Sequence, residues 1–167
     1  MPNRDFNGWD PLSSLQRNEV VDKMVKKNIR NILSSYTIQY DLISELIQNA
    51  LDALEAKWEL GSYSPKLKIL IDMNTQTITV SENGIGLNDD EFECFLAPDV
   101  SFKPSHGHTR GHKGVGATYI GYGYNKVWIE SKNDKLEVEG KHLIVQFFDA
   151  RKWVDSDDSS TPRPEYT

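Results

Sequence analysis

The 167 residues amount to one domain on a prior of about 100–200 residues per domain, and 38% hydrophobic against 26% charged residues supplies a packed core and excludes a wholly disordered chain. A net charge of −6 argues against a surface that is basic all round, so nucleic acid is expected to be reached only through additional domains, if at all. No apolar run approaches the roughly 18–20 residues of a membrane helix, the start MPNRDFNGWD carries no signal pattern, and one cysteine, Cys94, excludes an internal disulfide framework and suits a reducing, cytoplasmic setting.

Residues 1–17, with Pro2, Gly8 and Pro11, read as an irregular arm. Over 18–35, Val21, Met24, Val25, Ile29 and Ile32 recur at helical spacing. A clearer helix follows over 40–59, with Leu42, Ile43, Leu46, Ile47, Ala50 and Leu54 on one stripe and Gly61 as a stop. The period then changes to two: Leu67, Ile69 and Ile71 alternate over 66–71, and Ile78 and Val80 over 76–80. Asp72 to Thr75 suits the turn between them, so the pair reads as a hairpin. Asn88 is placed to cap a short helix over Asp89 to Leu96. Little periodicity follows, and the stretch of about 87–113 reads as a lid. Further strands are expected over 126–131 and 135–148, and 155–167 reads as a polar tail or linker. Helices first and strands in blocks predict an α+β two-layer domain over 18–154 rather than a wound parallel sheet.

Three constellations could carry chemistry. On the 40–59 helix, at about 100° per residue, Glu45, Asn49 and Asp52 fall within about 60° of one another. A solvated face usually mixes signs, yet this stripe runs to Ala56 without Lys or Arg, and Asn and Asp are weak helix formers. Acid, amide and acid at that spacing could hold a hydrated divalent cation such as magnesium. The second is Ser81-Glu82-Asn83-Gly84-Ile85-Gly86 at a strand end. Two glycines permit close backbone approach to a flat ligand, and Glu82 could accept from an exocyclic amine; an ordinary Asn-Gly turn is the plain alternative. The third is Gly111-His112-Lys113-Gly114-Val115-Gly116-Ala117-Thr118, a glycine run into a helix start that makes an anion cradle or simply a flexible loop. It is neither a P-loop nor a dinucleotide-binding fingerprint.

In this order, the motifs resemble those of the GHKL or Bergerat-fold ATPases, whose members include gyrase B, the ninety-kilodalton heat-shock chaperone, sensor histidine kinases and the mismatch-repair MutL protein. SELIQNALDALEA resembles the family's N-box, TVSENGIGL its first glycine box and GHKGVGATY its second. The lid segment SFK, with Ser101 and Lys103, resembles the S-x-K of the chaperone-like and sacsin-like branches. The match covers roughly 35–130.

The resemblance implies an α+β two-layer sandwich with a mixed, mainly antiparallel sheet and helices on one face. It implies magnesium-dependent ATP binding and slow hydrolysis, with lid closure and ATP-gated dimerisation through the N-terminal arm. Glu45 falls at the general-base position, Asn49 at the magnesium-ligand position and Asp52 at the acid that supports the nucleotide pocket. Glu82 takes the place of the aspartate that reads the adenine amino group, and Gly84 and Gly86 shape that pocket. Gly111, Gly114 and Gly116, with Val115 and Ala117 beside them, would cradle the phosphates, with Lys113 or Lys103 near the charge.

The chain departs from the family at Glu82, one methylene longer than aspartate, and at Ala117, where many relatives carry a bulky residue. The family's closing strand with Gly-Thr is not found. A nucleotide-gated module without hydrolysis is the second reading. A histidine kinase domain is a weaker third, because no histidine precedes residue 106 to act as phospho-acceptor. His106, His108 and His112 read more simply as a polar loop than as a zinc site, since no Cys or acid completes the set. Cys94 reads as filler, and Trp58, Trp128 and Trp153 as packing residues.

Overall fold

The computed structural model describes residues 8–13, 15, 18–37, 40–95, 97, 115–133 and 142–165. The protein is α+β. Its elements are α1 (Glu19–Ser35), α2 (Asp41–Trp58), β1 (Leu67–Asp72), β2 (Thr77–Glu82), α3 (Asp89–Phe95), α4 (Val115–Tyr122), β3 (Lys126–Lys132), β4 (His142–Phe148) and α5 (Ala150–Asp155). Every pairing among the described strands is antiparallel. β1 pairs with β2 from Leu67 opposite Glu82 to Asp72 opposite Thr77, and β3 pairs with β4 from Lys126 opposite Phe148 to Lys132 opposite His142.

Local chemistry sets the element ends. Asn18 caps α1, its Oδ1 accepting from the Val21 N–H at 2.9 Å. The β1–β2 turn is built by Asp72, whose Oδ1 accepts from the N–H groups of Asn74 at 2.8 Å and Thr75 at 3.3 Å. Those bonds hold the Asp72 carboxyl below the usual aspartate range. Asn88 and Glu91 form a reciprocal capping box on α3: each side chain accepts from the other's backbone N–H at 2.9 Å.

The core gathers Leu12, Ile29, Phe92, Tyr122, Ala150, Trp153 and Val154, so α1, α3, α4, α5 and the segment before α1 share it. Trp153 packs there as expected, whereas Trp58 and Trp128 are exposed. α5 lies where no strong period marked a helix. Met24, expected on the buried stripe of α1, is 67% exposed. The buried face is turned away from it towards Ile29 and Lys26. Lys26 Nζ donates to the Ser156 carbonyl at 2.8 Å, and Arg30 Nε donates to the Val154 carbonyl at 2.8 Å.

The segment expected as a polar tail therefore lies against α1. Its Arg163 is buried, donating through Nε to Asp22 Oδ1 at 2.8 Å and through Nη1 to the carbonyls of Leu12 at 3.0 Å and Leu15 at 3.2 Å. The buried Asp10 carboxylate pairs with the same guanidinium at 3.5 Å. A lone arginine in a polar run looks solvated in sequence. Its burial is compensated by carboxylates more than a hundred residues away.

Apolar residues recur at alternate positions in β1, a pattern that often lines a buried face. Instead Leu67, Ile69 and Ile71 are exposed, while Ile78 and Val80 of β2 are half-buried, and it is β2 that contacts α2.

Candidate functional site

α2 is the helix on which the site is built. Ala53, in its fourth turn, meets the first glycine segment: the Ile85 N–H donates to the Ala53 carbonyl at 3.1 Å. A side chain at Gly84 would put its Cβ 2.6 Å from that same carbonyl, so only glycine lets the loop lie this close. Gly86, at φ +68°, turns the chain in the left-handed region, and a Cβ there would overlap the Lys132 carbonyl. The loop is pinned to the end of β3 by Ser131 Oγ, which accepts from the Leu87 N–H at 2.8 Å, and by the buried Asn133, whose Nδ2 donates to the Gly86 carbonyl at 3.4 Å.

Two turns earlier on α2, Glu45 meets the second glycine segment. Its Oε2 lies against the backbone of Gly116 in the first turn of α4, where any Cβ would overlap it. Its Oε1 accepts from the Tyr36 hydroxyl at 2.9 Å. Burial first, and the bond to Glu45 second, hold that hydroxyl above the usual tyrosine range. The Tyr36 ring stacks on Tyr119 of α4, with centroids 3.9 Å apart and planes 9° from parallel.

Between these two contacts lies Asn49. Its Nδ2 is buried and has no hydrogen-bond partner among the described residues. Leaving such a group unpaired costs about 1–3 kcal/mol. Asp52 Oδ1 accepts from Gln48 Nε2 at 3.0 Å. The stripe of Glu45, Asn49 and Asp52 is thus half-buried rather than a solvated face.

Glu82 ends β2 beside this loop. Its carboxylate curls back and accepts from the Gly84 N–H of its own loop. Val115 and Ala117 lie half-buried in the first turn of α4. Ser101, Lys103, Gly111, Lys113 and Gly114, and the three histidines of the same stretch, lie outside the described residues. No cluster of His, Cys, Asp and Glu suited to a metal occurs among the described residues, and no described helix is long and apolar enough to cross a membrane. Tyr36, Tyr119, Ser131 and Asn133 were not legible as site residues: none lies within a periodic stripe, and Tyr36 reaches Glu45 from the end of the preceding helix.

The arrangement places a carboxylate, an amide whose Nδ2 has no partner among the described residues, and two glycine segments along one helix. The chain is similar to bacterial chaperones named HtpG. It is 31% identical over 80 residues to chaperone protein HtpG of Campylobacter jejuni, a match covering 42% of this chain and 13% of the relative. With HtpG of Chromobacterium violaceum the identity is 39% over 80 residues, covering 42% and 12%. With HtpG of Bacillus velezensis it is 29% over 126 residues, covering 67% and 20%. The chain therefore spans 12–20% of the length of these curated relatives. No family model matches it. The similarity to HtpG agrees with the heat-shock-chaperone branch to which the motifs pointed.

Proposed function

We propose that this chain is a magnesium-dependent ATP-binding domain that hydrolyses ATP slowly, as part of a chaperone-like protein. The observation that carries the reading is the placement of both glycine segments on α2: Gly84 and Ile85 at Ala53, and Gly116 at Glu45. At about 1.5 Å per residue the two contacts are about 12 Å apart along the helix. An extended nucleoside triphosphate can lie along that span, base towards Ala53 and phosphates towards Glu45.

In this reading Glu45 accepts a proton from the water that attacks the γ-phosphate. The α4 N-terminus, bare of side chain at Gly116, offers backbone N–H groups to the phosphates. Asn49 fits a place beside a metal–phosphate group, because its side chain carries an oxygen of the kind magnesium takes, while its buried Nδ2, without a partner among the described residues, can donate to a phosphate oxygen. Magnesium, when bound, supplies charge neutralisation on the phosphates. Glu82 reads the base only after its carboxylate leaves the Gly84 N–H, or through a water that the two share. The segment at 87–113, with Ser101 and Lys103, closes over the nucleotide and excludes water, while Gly111 and Gly114 cradle the phosphates beneath it with Lys113 near their charge. Dimerisation gated by ATP belongs to the same reading.

Glu45→Ala tests it. The variant should retain magnesium–ATP binding in a titration and lose phosphate release; a variant that hydrolyses ATP like the unaltered protein overturns the assignment of the base. Glu82, engaged within its own loop, favours a second reading, a nucleotide-gated module without turnover. Clear turnover in a phosphate-release assay beside the titration eliminates that version.

A further inference from the structure

The Glu45 carboxylate is held from two sides, and one of the two holds, Tyr36, lies outside both glycine boxes and the N-box. Tyr36 occupies Oε1 from the C-terminal cap of α1, and the Gly116 backbone confines Oε2. The tyrosine is itself fixed. Its ring lies flat on Tyr119, which stands one turn after Gly116 on α4, and Tyr124 packs edge-on against Tyr119 with centroids 6.0 Å apart. The Tyr124 hydroxyl donates to that of Tyr119 at 3.4 Å. Three elements thus converge on one carboxylate, and the ring that orders it rests on the helix that opens directly after the glycine run.

Building on the ATPase reading, we propose that Tyr36 is a positioning residue for Glu45. With Oε1 occupied by the hydroxyl, the carboxylate plane is fixed and Oε2, on the Gly116 side, is the oxygen left to take the proton. A donated hydrogen bond makes a carboxylate a weaker base, so Tyr36 acts against basicity and in favour of geometry. For a general base geometry decides first. The Tyr36–Tyr119 stack ties that orientation to α4, so the base is aligned only while α4 holds its place against α2.

Tyr36→Phe keeps the stacked ring and deletes only the hydroxyl. The expected result is a fall in kcat of about tenfold, with KM and the Kd for magnesium–ATP within about twofold of the unaltered protein. A purely structural defect would move stability and affinity together with kcat. A second measurement is independent of nucleotide. In isotope-labelled tyrosine NMR of the free protein, with Tyr36 assigned by its loss in Tyr36→Phe, Glu45→Gln should shift the Tyr36 ring resonance and lower the pH at which its hydroxyl ionises. Unchanged or raised kcat in Tyr36→Phe, or a Tyr36 signal indifferent to Glu45→Gln, overturns the proposal while leaving ATP hydrolysis standing. Absence of turnover in the unaltered protein overturns the ATPase reading itself, and the proposal with it.

Discussion

Replacing Gly116 with alanine sets a methyl group against the Glu45 carboxylate. Apart from the glycine's own helix and chain neighbours, the three nearest atoms to such a methyl all belong to that carboxylate, the farthest of them at 3.4 Å. Two terms oppose each other. Alanine within a helix gains about 1 kcal/mol over glycine. Overpacking a site that cannot yield costs about 1–3 kcal/mol. The net in the unaltered background is a loss of about 0–2 kcal/mol. In a Glu45→Ala background the obstructing oxygens are gone, and the same change should stabilise by up to about 1 kcal/mol. Urea denaturation of the four proteins gives the coupling between the two sites, expected at about 1–3 kcal/mol. A Gly116→Ala effect of equal sign and size in both backgrounds would refute the contact and, with it, the apposition of α2 and α4 on which the site is built.

Three further outcomes are expected. Arg163→Ala leaves the Asp10 and Asp22 carboxylates without their cation and should cost about 3–5 kcal/mol in denaturant unfolding; Arg163→Lys should restore less than half of it, since a lysine cannot bond two carboxylates and two carbonyls at once. Gly86→Ala meets both a left-handed φ and the Lys132 carbonyl, and should lower stability by about 2–4 kcal/mol, against about 1–2 kcal/mol for alanine at exposed Gly8, which shares the left-handed φ but has nothing within 4 Å of the added Cβ. The Asp72 carboxyl is held below its unfolded value, so its contribution to the β1–β2 turn is present above the unfolded pKa and lost as pH falls through the folded one. NMR should show Asp72 titrating below an ordinary aspartate, and Asp72→Ala should remove the difference.

Helices and strands whose apolar residues recur with a single period were legible in the sequence. The stripe of α2, the hairpin with its Asp72 turn and the Asn88 cap all follow from side-chain spacing and local hydrogen bonding. Glycine positions were legible too, because a backbone approach such as Gly84 on Ala53 excludes any other residue. Interactions that join distant segments through polar atoms were not legible. Asp22, Lys26 and Arg30 read as a solvated face of α1, and only the fold brings the carbonyls and the guanidinium of 154–163 against them. Tyr36 had the same fate: its partner is nine positions away on another helix, outside any helical or strand period. β1 shows the converse failure. Its alternation is real, but period alone does not say whether a layer covers the apolar side.

The guanidinium of Arg163 has a mechanical consequence. It grips the segment before α1 and the first turn of α1 together, so the two ends of the described chain are fastened at one spot. Tension applied after Glu165 reaches α1 and the loop around Leu12 before it reaches any strand. α1, with Tyr36 at its far end, is then the lever.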